Sequence, residues 1–279
     1  MTDRLLDERR DVVVVTGAGG MGTAIARRLG SGRTLFLAEA SRGQLDRAVA
    51  ALTSEGYAVH GVPTDVSDRA SVEKLAEEAA GAGRLAAVVH TAGVSAATAS
   101  ARTILEVNLV GTVHVIDAFA KTATRGTSLV VISSMAGHFA SLSREDEAAL
   151  ATAAAEDLLG LDAVAAVGDD ATTAYMVSKR ANHVRVEAAA LAWNRRGATI
   201  NTVSPGVIST AMSQAVAESP NGEHMLRMID ECGAGRTGTP GEIAEAVAFL
   251  TGPQARFVAG TDLLVDGGQA AWMRRHMRR

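Results

Sequence analysis

The sequence predicts a doubly wound α/β fold, with one parallel sheet covered by helices on both faces in a single domain. Three observations carry this. Short apolar, β-branched runs alternate with longer stretches of helical periodicity from Val12 to Val265, the signature of successive βαβ units. Those runs are apolar throughout rather than on alternate residues, as strands buried on both faces require. A chain of 279 residues suits one large α/β domain and leaves little room for a second core.

The elements follow in order. Val12–Thr16 is the first strand and Met21–Leu29 the helix after it. Thr34–Ala38 and Tyr57–Val62 read as strands two and three, with a helix over Gln44–Leu52 between them. Ser71–Ala80 is a helix with Ser67 and Asp68 as cap candidates. Leu85–His90 and Leu129–Ser133 are strands flanking a long helix around Ile104–Lys121. Ala171–Arg195 is helical, Thr199–Val203 a strand, Pro240–Leu250 a helix opened by proline, and Asp262–Val265 the last strand. Between Ser141 and Asp170 the rhythm breaks: the segment is rich in Ala, Asp and Glu, with Arg144 its single basic residue. Its spacing of Leu150, Ala154, Leu158 and Leu161 predicts a helical insertion, either a surface excursion or a substrate lid.

Composition narrows the class. Charged residues make up 21% of the chain and the formal charge is −4, so no basic stripe for nucleic acid is expected. No apolar run reaches the length of a membrane span, and MTDRLLDERR is too charged for a signal peptide. The single cysteine, Cys232, excludes an intrachain disulfide and is expected as small packing, which points to a reducing, cytoplasmic setting. The basic run after Trp272, in the tail 272–279, is expected as a solvated end, with a flap over a neighbouring site as the alternative. No metal site is expected.

In an open α/β sheet, ligands bind outside the carboxyl ends of the strands. After the first strand stands Thr16-Gly17-Ala18-Gly19-Gly20-Met21-Gly22, a G-x-G-x-x-G turn that opens a helix. Glycine allows the tight turn and close backbone approach, and the helix N-terminus offers free N–H groups to a pyrophosphate. Glu39 ends the second strand about 20 positions on, where a carboxylate accepts ribose hydroxyls and repels a 2′-phosphate. This favours NAD over NADP, with Arg42 in the next loop as the competing argument.

Tyr175 and Lys179 stand one helical turn apart, so their side chains share a face. A phenol titrates near 10, too high for efficient proton exchange at neutral pH, and a nearby ammonium favours the phenolate. Ser134 follows the Leu129–Ser133 strand and so reaches the ligand edge of the sheet, where its hydroxyl can hold a substrate oxygen.

These motifs resemble the short-chain dehydrogenase/reductase family, a Rossmann-type fold, from about Val12 to Gly268. The resemblance includes TDVSD around Asp65, HTAG at 90–93, EVNLVG around Asn108, ISSMAG at 132–137, YMVSK at 175–179, NTVSPGVIST at 201–210 and VDGG at 265–268. It implies a catalytic tetrad of Asn108, Ser134, Tyr175 and Lys179, with Asn108 holding a water in a proton relay to Lys179. It also implies that Lys179 contacts the nicotinamide ribose and that Asp65 and Val66 meet the adenine. Ala92, Gly93, Pro205, Gly206, Val207 and Thr210 complete the cofactor contacts, the last two at the carboxamide and its phosphate side.

Three departures stand out. The glycine turn is one residue shorter than T-G-x-x-x-G-x-G, and the usual N-N-A-G is His90-Thr91-Ala92-Gly93, where His90 is expected to pack or hydrogen-bond rather than act as a base. The insertion between Ser134 and Tyr175 resembles the bacterial 3α-hydroxysteroid dehydrogenase/carbonyl reductase subgroup, which implies an alicyclic or steroid-like alcohol or ketone. It also implies an altered dimer face in a homo-oligomer, dimer or tetramer. His138 and Phe139 are expected to touch substrate, and residues 208–235, with Met212, Met225, Leu226, Met228 and Ile229, to cover it or simply to pack. Two other readings stay open. A silent dinucleotide-binding sensor predicts loss of Tyr, Lys or Ser, and all three are present. Enoyl reductases of the same fold usually space their Tyr and Lys further apart, so Tyr175 and Lys179, four positions apart, argue for alcohol/ketone chemistry, and a sugar epimerase or dehydratase needs a larger C-terminal region.

Overall fold

The computed structural model of the chain describes residues 11–217 and 222–276, so MTDRLLDERR and the last three residues of the basic tail lie outside the described residues. Strands β1 (Val12–Thr16), β2 (Thr34–Glu39), β3 (Ala58–Pro63), β4 (Leu85–His90), β5 (Ser128–Ile132), β6 (Thr199–Pro205) and β7 (Asp262–Val265) form one sheet in the order β3-β2-β1-β4-β5-β6-β7. Every pairing is parallel. The chain builds β2 and β3 on one side of β1, then crosses to β4 on the other, so the topological switch point lies between β1 and β4.

Alternate side chains of each central strand enter different cores. Val12 and Val14 of β1, with Leu129 and Val131 of β5, pack under helices α3 (Arg69–Ala82), α5 (Gly111–Thr122) and α8 (Ala171–Arg195). Val13 and Val15, with Val130 and Ile132, pack under α1 (Gly20–Gly30), α2 (Arg42–Ser54) and α11 (Pro240–Thr251). The valines of β1 are fully buried, and each such side chain contributes about 1.5–3 kcal/mol. Helix ends follow their caps: Asp68 accepts from Ala70 N to open α3, and Thr239 and Glu242 form a capping box ahead of Pro240 in α11.

The helix expected around Ile104–Lys121 runs from Ala101 to Thr122, as α4 (Ala101–Ile104), a π-helical turn over Leu105–Val110, and α5. It is long and apolar enough to cross a membrane by length and composition, which the sequence reading did not anticipate. Of its apolar window 72% is buried inside the protein, where α5 serves the sheet core.

The segment between Ser141 and Asp170 is a series of pieces rather than one helix: α6 (Arg144–Thr152), a 3-10 turn at Leu158–Gly160, and α7 (Asp162–Ala165). Leu150, Leu158 and Val164 are buried against Ile104, Leu109, Ala174, Val177 and Val184. Arg180 pairs with Glu147 at 2.6 Å, and Arg185 donates to the carbonyls of Ala151 and Ala153. The insertion is therefore fastened to the outer face of α8.

Beyond β6, α9 (Ala211–Ala217) and α10 (Gly222–Glu231) occupy the segment that showed no sheet pattern. Met225, Met228, Ile229 and Cys232 bury against Trp272 of α12 (Gln269–His276), with Met135 and Val207 beside them. Trp272 Nε1 donates to Glu231 at 3.0 Å, and the Arg274 guanidinium lies 5.9 Å from the Phe139 ring centroid. Residues 272–276 thus belong to a helix anchored by the buried Trp272, and along it the basic Arg274, Arg275 and His276 stay exposed. Cys232 is buried small packing, its thiol donating to Ile229 O.

Candidate active site

The glycine turn is dictated by what surrounds it. Gly17 has φ +88, and a Cβ there would lie 2.7 Å from Thr91 Oγ1. At Gly22 a Cβ would fall 1.9 Å from Gly17 O, so helix α1 reaches β1 this closely only without a side chain. Gly19 caps α1 with no side-chain bond, which leaves the first N–H groups facing a cavity of 430 Å³. Gly17, Gly19, Gly20, Met21, Gly22, Glu39, Asp65, Val66, Ala92 and Gly93 all line that cavity.

Glu39 closes the far end. Its Oε2 accepts from Ala18 N at 2.9 Å and Gln44 Nε2 at 3.3 Å, and its Oε1 from Ser41 N at 3.0 Å. Arg42 turns onto its own helix, 3.2 Å from Asp46. Among the described residues no lysine or arginine lines this cavity. The free N–H groups, the glycine cradle and the carboxylate at the strand end fit a dinucleotide.

A second cavity, of 470 Å³, adjoins the first through Met21, Thr210 and Met212, and holds Ser134 and Tyr175 in its wall. Pro205, Gly206 and Val207 border it, and this turn is pinned from behind, since Val207 N donates to the buried Gln269 Oε1 at 2.7 Å. Ser134 and Tyr175 stand side by side in this wall, close enough for the Ser134 side chain to act on the Tyr175 phenol. They meet because the chain after Ser134 packs tightly on α8: a Cβ at Gly137 would stand 2.8 Å from the Lys179 carbonyl carbon. Ser133 Oγ adds a bond to Lys179 O at 2.8 Å.

Lys179 is buried and donates to Ile132 O at 3.1 Å, and its Nζ lies 5.6 Å from the Tyr175 ring centroid. Burial lowers its pKa to about 8. Tyr175 keeps some surface open to the cavity, yet burial pushes its phenol above the usual 10, and the Ser134 hydroxyl beside it pulls it partly back. The lowering expected from Lys179 is not what governs Tyr175 here; desolvation is. Asn108 sits in the π-helical turn, its amide bonded both ways to Val94, with Oδ1 accepting from Val94 N and Nδ2 donating to Val94 O, each at 2.9 Å. A Cβ at Gly93 would come within 3.1 Å of Asn108 Oδ1 and 3.8 Å of Lys179 Nζ, so the four catalytic candidates and the HTAG turn converge.

Other expectations change. His138 does not face the cavity: it donates to Asp262 Oδ2 at 2.8 Å, while Asp262 Oδ1 also accepts from Thr202 and Ser204. That carboxylate, on a distant strand, rotates the turn after Ser134, and Phe139 goes with it, under Arg274. No residue of 141–170 lines the 470 Å³ cavity. Its wall instead comes from Ser95–Ala97, Met135, Thr172 and Met225, which sequence reasoning missed apart from Met225. Position after β4, β5 and β6 was the available signal. Among the described lining residues none is charged, and four are methionines. His90 bonds Thr16 Oγ1 and Thr112 Oγ1, and burial lowers its pKa to about 3, which suits a hydrogen-bonding rather than a basic role.

Residues 11–145 match the family described as short chain dehydrogenase, and residues 146–270 the one described as enoyl-(acyl carrier protein) reductase. The chain is 38% identical over 270 residues to the short-chain dehydrogenase/reductase bsc3 of Alternaria brassicicola, covering 95% of this chain and 98% of that one. It is 33% identical to the 3-alpha-hydroxysteroid dehydrogenase/carbonyl reductase of Comamonas testosteroni over 67% of this chain and 73% of the relative. To the L-tagatose-forming galactitol 2-dehydrogenase of Cereibacter sphaeroides it is 32% identical, over 92% and 94%. Among solved structures, the short-chain dehydrogenase/reductase from Serratia marcescens matches with a TM-score of 0.73 at 25% identity, over 93% of this chain and 98% of the other. Fold, cleft and relatives agree that the chain belongs to the short-chain dehydrogenase/reductase family, nicotinamide-dependent oxidoreductases of CH–OH and C=O groups.

Proposed function

We propose that the protein is an NAD(H)-dependent alcohol dehydrogenase/ketone reductase in which Tyr175 is the general acid/base. The observation that carries this is the Tyr175–Ser134 pair in the wall of the 470 Å³ cavity, where that cavity meets the dinucleotide cleft. When bound in that cleft, the nicotinamide supplies or accepts the hydride. Ser134 orients the substrate oxygen. Tyr175 gives that oxygen its proton in reduction and takes it in oxidation. Lys179 favours the phenolate against the burial that opposes it, and binds the ribose. Asn108 holds the floor beneath Lys179 and supports a proton relay. Glu39, with no lysine or arginine lining the cleft among the described residues, favours NAD over NADP.

The uncharged, methionine-rich wall supports a neutral alicyclic or steroid-like alcohol or ketone, with residues 208–235 as its adaptable cover. Exposed Leu191, Phe249 and Phe257 support a homo-oligomer, and the single buried thiol supports a cytoplasmic setting. Tyr175→Phe tests the mechanism. It is expected to bind NADH as the parent does while losing orders of magnitude in turnover of cyclic ketones, followed by NADH absorbance. Turnover near that of the parent would refute the assignment. An enoyl substrate consumed in preference to every ketone would point to C=C reduction instead.

A further inference from the structure

A buried polar chain crosses the protein from the end of β1 to the helix that carries Tyr175. Thr16 Oγ1 meets His90 Nδ1 at 2.7 Å, His90 Nε2 meets Thr112 Oγ1 at 3.1 Å, and Thr112 Oγ1 donates to Asn108 O at 2.8 Å. The directions are forced. Thr112 has placed its proton on Asn108, so His90 must donate from Nε2, and its Nδ1 lone pair accepts from Thr16.

On the other side of Asn108 stands Asn182. Its amide faces two carbonyls, Ser178 O and Asn108 O, both at 3.1 Å. An amide oxygen there would meet only acceptors, so the nitrogen points to them and donates to both. Thr16, His90, Thr112, Asn108, Asn182 and Ser178 are each exposed by 2% or less, so every bond in the chain is shielded from water. Two side-chain donors thus converge on one main-chain carbonyl, within a π-helical turn whose own ladder is irregular.

We propose that Asn182 and His90 are positioning residues. Through Asn108 they fix the π turn against α8 and tie the catalytic turn of that helix to the strand end that begins the dinucleotide site. The inference rests on the reading that Tyr175 and Lys179 perform the chemistry. Ser178 and Asn182 bracket Lys179 along α8, so a bond from Asn182 to Asn108 sets where the Lys179 turn lies relative to the turn at Gly93. Neither residue touches a cavity wall, so neither is a catalytic residue.

The test uses the full chain with Asn182→Leu, Asn182→Ser, His90→Phe and His90→Asn, with Tyr175→Phe in parallel. For each, kcat for a cyclic ketone, NADH affinity by fluorescence, and the melting temperature are measured. Both Asn182 variants and His90→Phe are expected to lose at least tenfold in kcat with NADH affinity held within twofold. His90→Asn, which keeps a donor and an acceptor at the strand end, is expected to stay within threefold of the parent. Asn182→Leu or Asn182→Ser with the parent's kcat would overturn the proposal, as would a His90→Asn loss equal to that of His90→Phe. An active Tyr175→Phe would instead overturn the mechanism beneath it, whatever the other variants do.

Discussion

Replacing Lys179 by methionine separates the cost of the site from its use. The ammonium is buried, donates to Ile132 O, and has its pKa depressed from 10.5 to about 8 by desolvation. At 1.36 kcal/mol per pH unit, that depression corresponds to about 3 kcal/mol by which the charged form opposes folding at neutral pH. Methionine keeps the stem and removes the charge, but leaves the Ile132 carbonyl without this donor, a loss of about 1–3 kcal/mol. The two effects nearly offset at pH 7. The pH dependence does not offset, and its sign is fixed. Between pH 8 and 10.5 the unfolded chain holds a proton on Lys179 that the folded chain has released, so the parent's stability rises with pH across that window. The variant lacks the rise. Urea unfolding at fixed protein concentration, between pH 7 and 9.5, should therefore show the parent gaining about 2 kcal/mol relative to Lys179→Met. Tyr175, raised by burial, does not titrate in that range. Parallel curves for the two proteins would refute the desolvated lysine and the account of the site built on it.

Three further outcomes follow from the geometry. Glu39→Ala should weaken NADH binding about tenfold, about 1.4 kcal/mol, and move the ratio of the NADH and NADPH dissociation constants toward NADPH if the proposed NAD reading holds. Gly137→Val places a side chain against the Lys179 backbone, where a Cβ already lies 2.8 Å away. It should cost about 1–3 kcal/mol in unfolding free energy and lower kcat more than NADH affinity. Leu158→Ala empties a fully buried position in the insertion. It should cost about 2–5 kcal/mol while leaving kcat per folded molecule unchanged, since no residue of 141–170 lines the cavity.

What was legible in the sequence is what local chemistry determines. Gly17 and Gly22 announce a turn because no other residue fits, and Tyr175 and Lys179 announce a shared face because helical spacing places them there. Glu39 announces itself by ending a strand beside that turn. What was not legible depends on partners far along the chain. His138 follows Ser134 closely and on that ground should face substrate, but Asp262, held by Thr202 and Ser204, turns it away. The spacing of Leu150, Ala154, Leu158 and Leu161 suits one helix. Leu150, Leu158 and Leu161 instead pack onto α4, α5 and α8 in separate pieces, Leu150 and Leu158 at full burial, and Ala154 stays exposed, because that surface and not helical propensity sets their positions. Asn182 reads as one polar residue on a helix until Asn108 is found opposite it.

The insertion and the described residues of 208–235 therefore occupy different sides of the site. Residues 141–170 bury Leu150, Leu158 and Val164 on the outer side of α8 and fasten it through Arg180 and Arg185. The inner side of the same helix receives the turn at Gly137, and Asn182 binds it to the π turn. A helix held from both sides keeps Tyr175 and Lys179 in register irrespective of what occupies the cavity. The residues that can adapt to a substrate then lie elsewhere: Met135, Met212 and Met225, on the 3-10 turn after Ser134 and on helices α9 and α10. Substitutions there should redistribute activity among ketones, whereas substitutions in the insertion should change stability. The long gap before Tyr175 fastens the helix that carries it, and on the proposed reading selectivity lies with Met135, Met212 and Met225.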